Sequence, residues 1–384
     1  MLCPTRELAE QVAGELRRLA WRLPRTQVVT ACGGRPMRDQ TSALKRGAQV
    51  VVGTPGRIGK HLRKGSLRLA ELRTLVLDEA DRMLDMGFAD EVRFIVEACP
   101  PRRTLLFSAT IPPQVRKLAR FLQRDAVEVL SDEGVETLRQ VAYRCDRGGR
   151  NALAAAVLAE HRPARALVFC ETKRDCDALA RFLAGRGAHA LALHGDLEQR
   201  DRDDALVQFA NGSATVLVAT NVAARGLDIP DLPLVLIAEL SRDVEAHIHR
   251  VGRTARAGAD GVAACLVEGP GELNRLHRIE EATGQRLERA ESPTGGALGF
   301  LRPTHRTLLI LAGRQDKLRK GDVLGALIQD GGIPPDALGR IDVTRSKVAV
   351  AVRRDHADAA LAWARGGRIK KKRVRARLLG RPIP

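Results

Sequence analysis

Aromatic side chains make up only 3% of this 384-residue chain, as eight Phe, two Trp and one Tyr. A nucleic-acid surface built on stacked rings would have few rings to use, so contacts to phosphates should dominate any such binding. Seven cysteines are scattered at positions 3, 32, 99, 145, 170, 176 and 265 with no C-x-x-C pair. That spacing argues against a zinc site or redox dithiol and fits reduced core thiols of a cytosolic protein. No apolar run nears the roughly twenty residues that cross a bilayer, and the first residues lack a signal-peptide pattern. A soluble, cytoplasmic protein is expected. One loop is also missing. The phosphate-cradling G-x-x-x-x-G-K-[ST] run occurs nowhere, and its nearest approach, Gly56-Arg57-Ile58-Gly59-Lys60-His61, has the wrong spacing.

What is present is length and basic charge. The length suggests two or three domains. Net charge is +18, and it is unevenly placed: residues 301–384 hold 20 Lys and Arg against 7 Asp, whereas residues 1–300 hold 44 basic and 39 acidic residues. Clustered Lys and Arg neutralise phosphates and release counterions, so the C-terminal part is the candidate for binding a polyanion. A membrane surface is the competing partner, but no long amphipathic basic helix supports it.

The apolar run Thr74-Leu75-Val76-Leu77 reads as a buried parallel strand ending in Asp78-Glu79-Ala80-Asp81. Ligands collect at the carboxyl ends of such strands. Asp78 can hold Mg²⁺ through water there, and Glu79 can orient or deprotonate an attacking water. The alternative is a helix start, which also favours acidic residues.

Strand and helix patterns alternate on either side, which predicts a doubly wound α/β domain over 1–130. A linker is expected at 131–140 and a second α/β domain over 141–290. Two such units suggest a cleft between them. A Gly/Pro/Ser/Thr-rich stretch predicts another linker at 291–304. A βαββαβ order over 305–380 is compatible with an RRM-like sheet, though without aromatic residues on its strands. Basic residues such as Lys347, Arg353, Arg373 and Arg375 favour recognition of backbone or shape.

The chain carries a dense set of motifs in order: Pro4-Thr5-Arg6-Glu7-Leu8-Ala9, Gly33-Gly34, Thr54-Pro55-Gly56-Arg57, Asp78-Glu79-Ala80-Asp81, Ser108-Ala109-Thr110, Ala219 to Asp228, and His249-Arg250-Val251-Gly252-Arg253-Thr254-Ala255-Arg256. Together they resemble the DEAD-box ATP-dependent RNA helicases over residues 1–290. Residues 306–380, with Lys317-Leu318-Arg319, Gly339-Arg340-Ile341 and Gly367-Arg368-Ile369-Lys370, resemble the RNA-binding domain of the DbpA subfamily. The resemblance implies two RecA-like parallel-sheet domains, the first incomplete, followed by an RRM-like α+β domain.

ATP and Mg²⁺ are the implied cofactors, with Asp78 holding the metal, Glu79 positioning water, and Arg253 and Arg256 acting on the γ-phosphate. Asp228 would contact the nucleotide, while Asp81, Ser108, Thr110 and His249 would form a relay between the domains. RNA would be held through its backbone by Pro4, Thr5, Arg6, Gly34, Thr54, Gly56, Arg57, Thr172, Gly195, Arg202 and Thr220. In the last domain Lys317, Arg319, Lys347, Arg353, Lys370, Lys371, Lys372 and Arg373 are the candidates. The implied partners are RNA, in particular large-subunit ribosomal RNA, and the pre-ribosomal particle. No membrane partner is implied, and the protein is expected to be monomeric.

Two departures matter. The chain starts at the first motif, so a truncated product or misassigned start is expected, with weak or no ATP binding and negligible turnover. Asn221 stands where the family usually has Asp, which puts any charge-dependent role of that position in question. A non-hydrolysing RNA-binding protein or chaperone acting through the C-terminal domain is the main alternative, and a DNA helicase a weaker one.

Overall fold

The computed structural model describes residues 1–98, 103–123, 125–129, 138–224, 232–255, 260–370 and 372–380. The chain divides into two units, the first built from Met1–Gly134 and the second from Val135–Ala224 and Ile229–Pro384.

In the first unit, helix α1 (Arg6–Leu19) starts where Thr5 Oγ1 accepts the Leu8 N–H at 3.2 Å, with Glu7 in its first turn and Arg17 and Arg18 in its last. Cap and charges all favour a helix in this direction. Strands β1 (Val28–Ala31) and β2 (Val50–Gly53) pair in parallel, as do β3 (Thr74–Leu77) and β4 (Arg103–Leu106). Met1-Leu2-Cys3 forms the rung between the two pairs. Leu2 donates to Val76 O at 2.8 Å, Cys3 donates to Gly53 O at 3.0 Å, and Asp78 donates to Leu2 O at 3.0 Å. Around the sheet lie α2 (Met37–Lys45), α3 (Pro55–Arg63), α4 (Ala80–Asp85), α5 (Ala89–Ala98) and α6 (Pro113–Leu122). Leu2, Ile58, Leu75, Leu77, Met83, Val92, Ile95 and Leu118 share one core. β4 pairs with β3 alone among the described residues, and Phe107 just beyond it is 55% exposed.

The second unit begins with a seven-stranded all-parallel sheet in the order β11-β5-β10-β9-β6-β8-β7. Its strands are β5 (Leu138–Cys145), β6 (Ala166–Cys170), β7 (Ala190–Leu193), β8 (Val216–Thr220), β9 (Leu234–Ile237), β10 (Gly261–Glu268) and β11 (Glu288–Ala290). Its helices are α7 (Arg150–His161), α8 (Lys173–Gly185), α9 (Gln199–Ala210), α10 (Asn221–Ala224), α11 (Val244–Val251) and α12 (Gly269–Thr283). β6, β8 and β9 are buried at every position, as the continuous apolar runs require of strands covered on both faces.

Both expected linkers need correction. Residues 131–137 lie outside the described set, but Leu138–Gln140 already belong to β5, paired with Gly261–Ala263. In the 291–304 stretch, Leu298 and Leu301 are fully buried in the core of the seven-stranded sheet. Leu298 N–H donates to Arg186 O at 3.0 Å, and the Leu301 carbonyl accepts from His189 N–H at 3.3 Å and from the Thr215 hydroxyl. Two leucines anchor a segment whose composition reads as flexible.

The remaining residues form a four-stranded antiparallel sheet in the order β13-β14-β12-β17. It comprises β12 (His305–Ile310), β13 (Leu338–Val343), β14 (Val348–Arg353) and β17 (Ala376–Leu379), with α13 (Lys320–Gly325) and α14 (Arg354–Gly366) on one face. The small hairpin β15 (Arg368–Ile369) and β16 (Lys372–Arg373) stands apart. Arg373 is therefore not on the main sheet, and Lys347 sits in the turn before β14.

The sheet is the RRM-like one expected, and its second face is partly covered by protein. It packs on α9. Leu309, Ala349 and Leu379 close over Val207, and Asn211 Nδ2 donates to Thr307 Oγ1 at 2.9 Å. Arg377 pairs with Asp204 at one side of this contact. Alanines at 349 and 351 leave room for the helix, so the missing aromatics of this face are the residues a protein-covered sheet does without.

Candidate functional site

At the end of β3 the chain turns sharply. Glu79 adopts the left-handed region with φ 52° and ψ 56°, which a non-glycine residue enters at a cost of about 1 kcal/mol. The turn separates the carboxylates. Asp81 is 1% exposed. Its Oδ2 accepts the Thr110 N–H at 3.1 Å and the Thr110 hydroxyl at 2.9 Å, and its Oδ1 accepts the Arg82 N–H at 2.9 Å. Its own N–H donates to Ser108 Oγ at 3.2 Å, and that hydroxyl donates to Thr110 O at 2.6 Å. Asp81, Ser108 and Thr110 are thus brought together as one closed polar group. A buried carboxylate satisfied in this way fixes the loop after β4 against the turn after β3.

Glu79 accepts from Arg82 Nη1 at 2.7 Å, an i,i+3 pair the sequence reading missed, although the spacing alone makes it available. Asp78 has no basic partner among the described residues. Burial, and then the neighbouring Glu79 and Asp81 charges, push its carboxyl above the usual range. A hard cation would relieve both effects, so the donor set fits Mg²⁺ held by one carboxylate and waters. No group of three acidic, His or Cys side chains that could cage a metal directly forms among the described residues.

On the same sheet, the ends of β1 and β2 gather a second set. The Arg6 guanidinium lies over Gly34, which has φ +73°, and a Cβ there would fall 1.8 Å from Arg6 Nη1. A side chain there would displace the guanidinium, and the positive φ also favours glycine. Arg57 Nη2 donates to Arg35 O at 3.3 Å, and the Thr54 N–H donates to Ala31 O at 3.2 Å. Pro4, Thr5, Arg6, Gly34, Thr54, Gly56 and Arg57 thus sit on helix starts and strand ends, where backbone N–H groups and guanidinium groups suit phosphate oxygens.

In the second unit Thr172 caps α8, its Oγ1 accepting the Asp175 N–H at 3.1 Å, and Thr220 closes β8 with 7% exposure. Gly195 lies beside Lys173, which pairs with Asp196 at 2.5 Å, and Arg202 lies in α9. His249 is in α11, and Arg253 follows it, 8% exposed. Asp228 and Arg256 lie outside the described residues.

The residue that organises this region is one the sequence reading gave no role. Arg250 is 2% exposed, with Nε donating to Asn221 Oδ1 at 2.5 Å, Nη1 to Glu239 O at 2.7 Å, and Nη2 to the Glu171 carboxylate. Its guanidinium also lies 5.4 Å from the Phe169 ring centroid. Beside it, His247 is 2% exposed and has no hydrogen bond at either ring nitrogen among the described residues. Burial first, and then Arg250, lower its pKa to about 4.

The basic candidates of the C-terminal domain divide between two places. Lys370 Nζ donates to Lys317 O at 3.1 Å and pairs with Asp322 at 2.8 Å, and Lys372 lies 3.7 Å from Asp316. The loop carrying Lys317 also binds the turn before Lys347, through Arg314 N–H to Thr344 O at 2.9 Å and Gln315 N–H to Arg345 O at 3.0 Å. Lys317, Arg319, Lys347, Lys370, Lys372 and Arg373 therefore share one end of the domain. Arg353 does not. It closes β14 and is paired with Asp336 at 2.8 Å and Asp355 at 2.9 Å, holding the Asp355 carboxyl down to about 2. Lys371 lies outside the described residues.

A carboxylate strand end tied to Ser108-Ala109-Thr110, on a parallel sheet followed by a second parallel sheet, is the architecture of the RecA-like class. Family models agree: DEAD/DEAH box helicase over residues 1–118, helicase conserved C-terminal domain over 148–258, and DbpA RNA binding domain over 307–378. The chain is 47% identical to the ATP-dependent RNA helicase DbpA of Escherichia coli over 99% of its length and 83% of that protein's. It is 42% identical to the DEAD-box ATP-dependent RNA helicase CshA of Geobacillus kaustophilus, over 77% of this chain and 63% of that one. Among solved structures, Saccharomyces cerevisiae Dbp5 bound to RNA and ADP BeF3 matches with a TM-score of 0.67 and 29% identity, covering 76% of each chain. The chain belongs to the DEAD-box ATP-dependent RNA helicases, and among them to the DbpA type.

Proposed function

We propose that this chain is the core of a helicase that remodels ribosomal RNA during large-subunit assembly, working in the cytoplasm as a monomer within pre-ribosomal particles. The observation that carries the reading is the closed group of Asp81, Ser108 and Thr110, which leaves Asp78 at the strand end for a nucleotide, with Glu79 beside it paired to Arg82. Asp78 would hold Mg²⁺ through water, and that ion would draw charge from the phosphates. Glu79, released from Arg82, would orient water toward the terminal phosphate, and Arg253 with Arg256 would balance the charge that develops there. Thr172, Gly195, Arg202 and Thr220, with the set around Arg6, would grip an RNA backbone without reading its sequence. Lys317, Arg319, Lys347 and the hairpin lysines would select the RNA.

The absence of a G-x-x-x-x-G-K-[ST] loop from the given sequence favours impaired hydrolysis, and with it a second reading as an RNA-binding protein or chaperone. ATPase measurement with ribosomal RNA present separates the two. Negligible turnover by this chain, with turnover restored in a version extended upstream to include a phosphate loop, supports the helicase reading. Equal rates for the two overturn the proposal of impairment. Silence from both leaves the binding-protein reading standing.

A further inference from the structure

Among the described residues, Arg250 is the largest side chain that the second unit buries completely. A guanidinium cannot shed its proton, so at 2% exposure it needs a nearby negative charge and acceptors for its N–H groups. Three acceptors meet it, and two of them are neutral: the Asn221 amide oxygen and the Glu239 carbonyl. The Glu239 carboxylate is turned elsewhere, accepting the Glu171 N–H at 3.0 Å, and burial raises its pKa. Among the described residues that leaves the side chain of Glu171, in the loop directly after β6, as the carboxylate that reaches Arg250.

We propose that Glu171 is a positioning residue that supplies the counter-charge of Arg250, the role that an amide at position 221 cannot fill. The pair ties three separate parts of the unit to one cation. Glu171 precedes Thr172, the cap of α8; Asn221 follows Thr220, the end of β8; and Arg250 lies between His249 and Arg253. Two threonines assigned to the RNA backbone and the end of α11 that leads to Arg253 are therefore held in register through one guanidinium group.

A surface ion pair would contribute little. This one differs because one partner is fully buried, and removing a single partner strands its charge. The consequence for RNA rests on the helicase reading, whereas the pairing itself does not.

The test moves the carboxylate from one position to the other in the full chain. Four proteins are compared: the parent, E171Q, N221D and E171Q/N221D. Thermal unfolding and affinity for a fluorescein-labelled oligouridylate are measured without nucleotide. E171Q should lower the melting temperature by about 5 °C and weaken RNA binding about tenfold. The double variant should recover most of both losses, because Asp at 221 again places a carboxylate beside Arg250 Nε. If E171Q fails to fold, recovery of folding in the double variant is itself the rescue. E171Q melting like the parent, or a double variant no better than E171Q, overturns the proposal. Rescue of melting while RNA binding stays constant across all four would make the pair a scaffold and overturn the positioning role. If the parent itself binds no RNA, the helicase reading fails, and the melting arm still decides the pairing.

Discussion

Asp78 and Arg250 are both charged groups near the carboxyl ends of parallel strands, and their surroundings are opposite. Asp78 is half-buried among like charges with no cation beside it among the described residues, whereas Arg250 is fully buried with every nitrogen engaged. Burial costs both groups hydration, but only Arg250 recovers it from the protein. An uncompensated charge at a strand end marks a place for a ligand. A compensated one marks a joint that positions its neighbours. Asp81 belongs with Arg250 in this respect, since its two oxygens take three donors from Arg82 and Thr110.

The sharpest way to break this contrast is Arg250→Ala, which leaves Glu171 and Asn221 without their donor. A loss of about 3–5 kcal/mol is expected from the cavity and from the acceptors left at Asn221 and the Glu239 carbonyl, read from the denaturant midpoint of the second unit. A loss below about 1 kcal/mol would mean that solvent or another cation replaces the guanidinium.

His247 offers the next effect, as a buried base with no hydrogen-bond partner among the described residues. Its folded pKa of about 4 lies below the unfolded value of 6.5. The unfolded chain therefore takes up a proton first as pH falls. Stability present above pH 6.5 should decline down to about pH 4, by roughly 3 kcal/mol in the limit. His247→Phe should flatten that slope in urea titrations across the same window. An unchanged slope would place the pH dependence on other groups.

Asp81→Ala should cost about 2–3 kcal/mol in the first unit, because Thr110 and the Arg82 N–H lose their acceptor. Circular dichroism melts of the first unit's transition read this directly. A neutral outcome would show that the closed group contributes geometry without stability.

The smallest expected effect separates the two ends of the C-terminal domain. Lys317→Ala should reduce the salt slope of RNA binding by about one, while Arg353→Ala, whose charge is already used by Asp336 and Asp355, should leave it unchanged. Equal slopes would remove the distinction between spent and available charge.

Patterns local in the chain were legible before any coordinates. Thr5 as the start of α1, the apolar run into Asp78, and the buried strands β6, β8 and β9 all follow from caps and hydrophobic period. What escaped was set by distant partners. Leu138-Arg139-Gln140 looks polar and yet forms strand because Gly261–Ala263 pair with it. Leu298 and Leu301 turn an apparent linker into core. Glu171 looks like one more surface acid until Arg250, 79 positions on, is seen to end against it.

The sequence by itself determined the class of enzyme, the order of its motifs and the separation of basic charge toward the C-terminus, because those depend on residue type and short spacing. Tertiary structure alone decided which charges are used up and which remain available. It also decided that the last sheet turns one face to α9. The physical reason is the same for both: the free energy of a charge or an apolar face depends on what lies against it, and that partner comes from elsewhere in the chain.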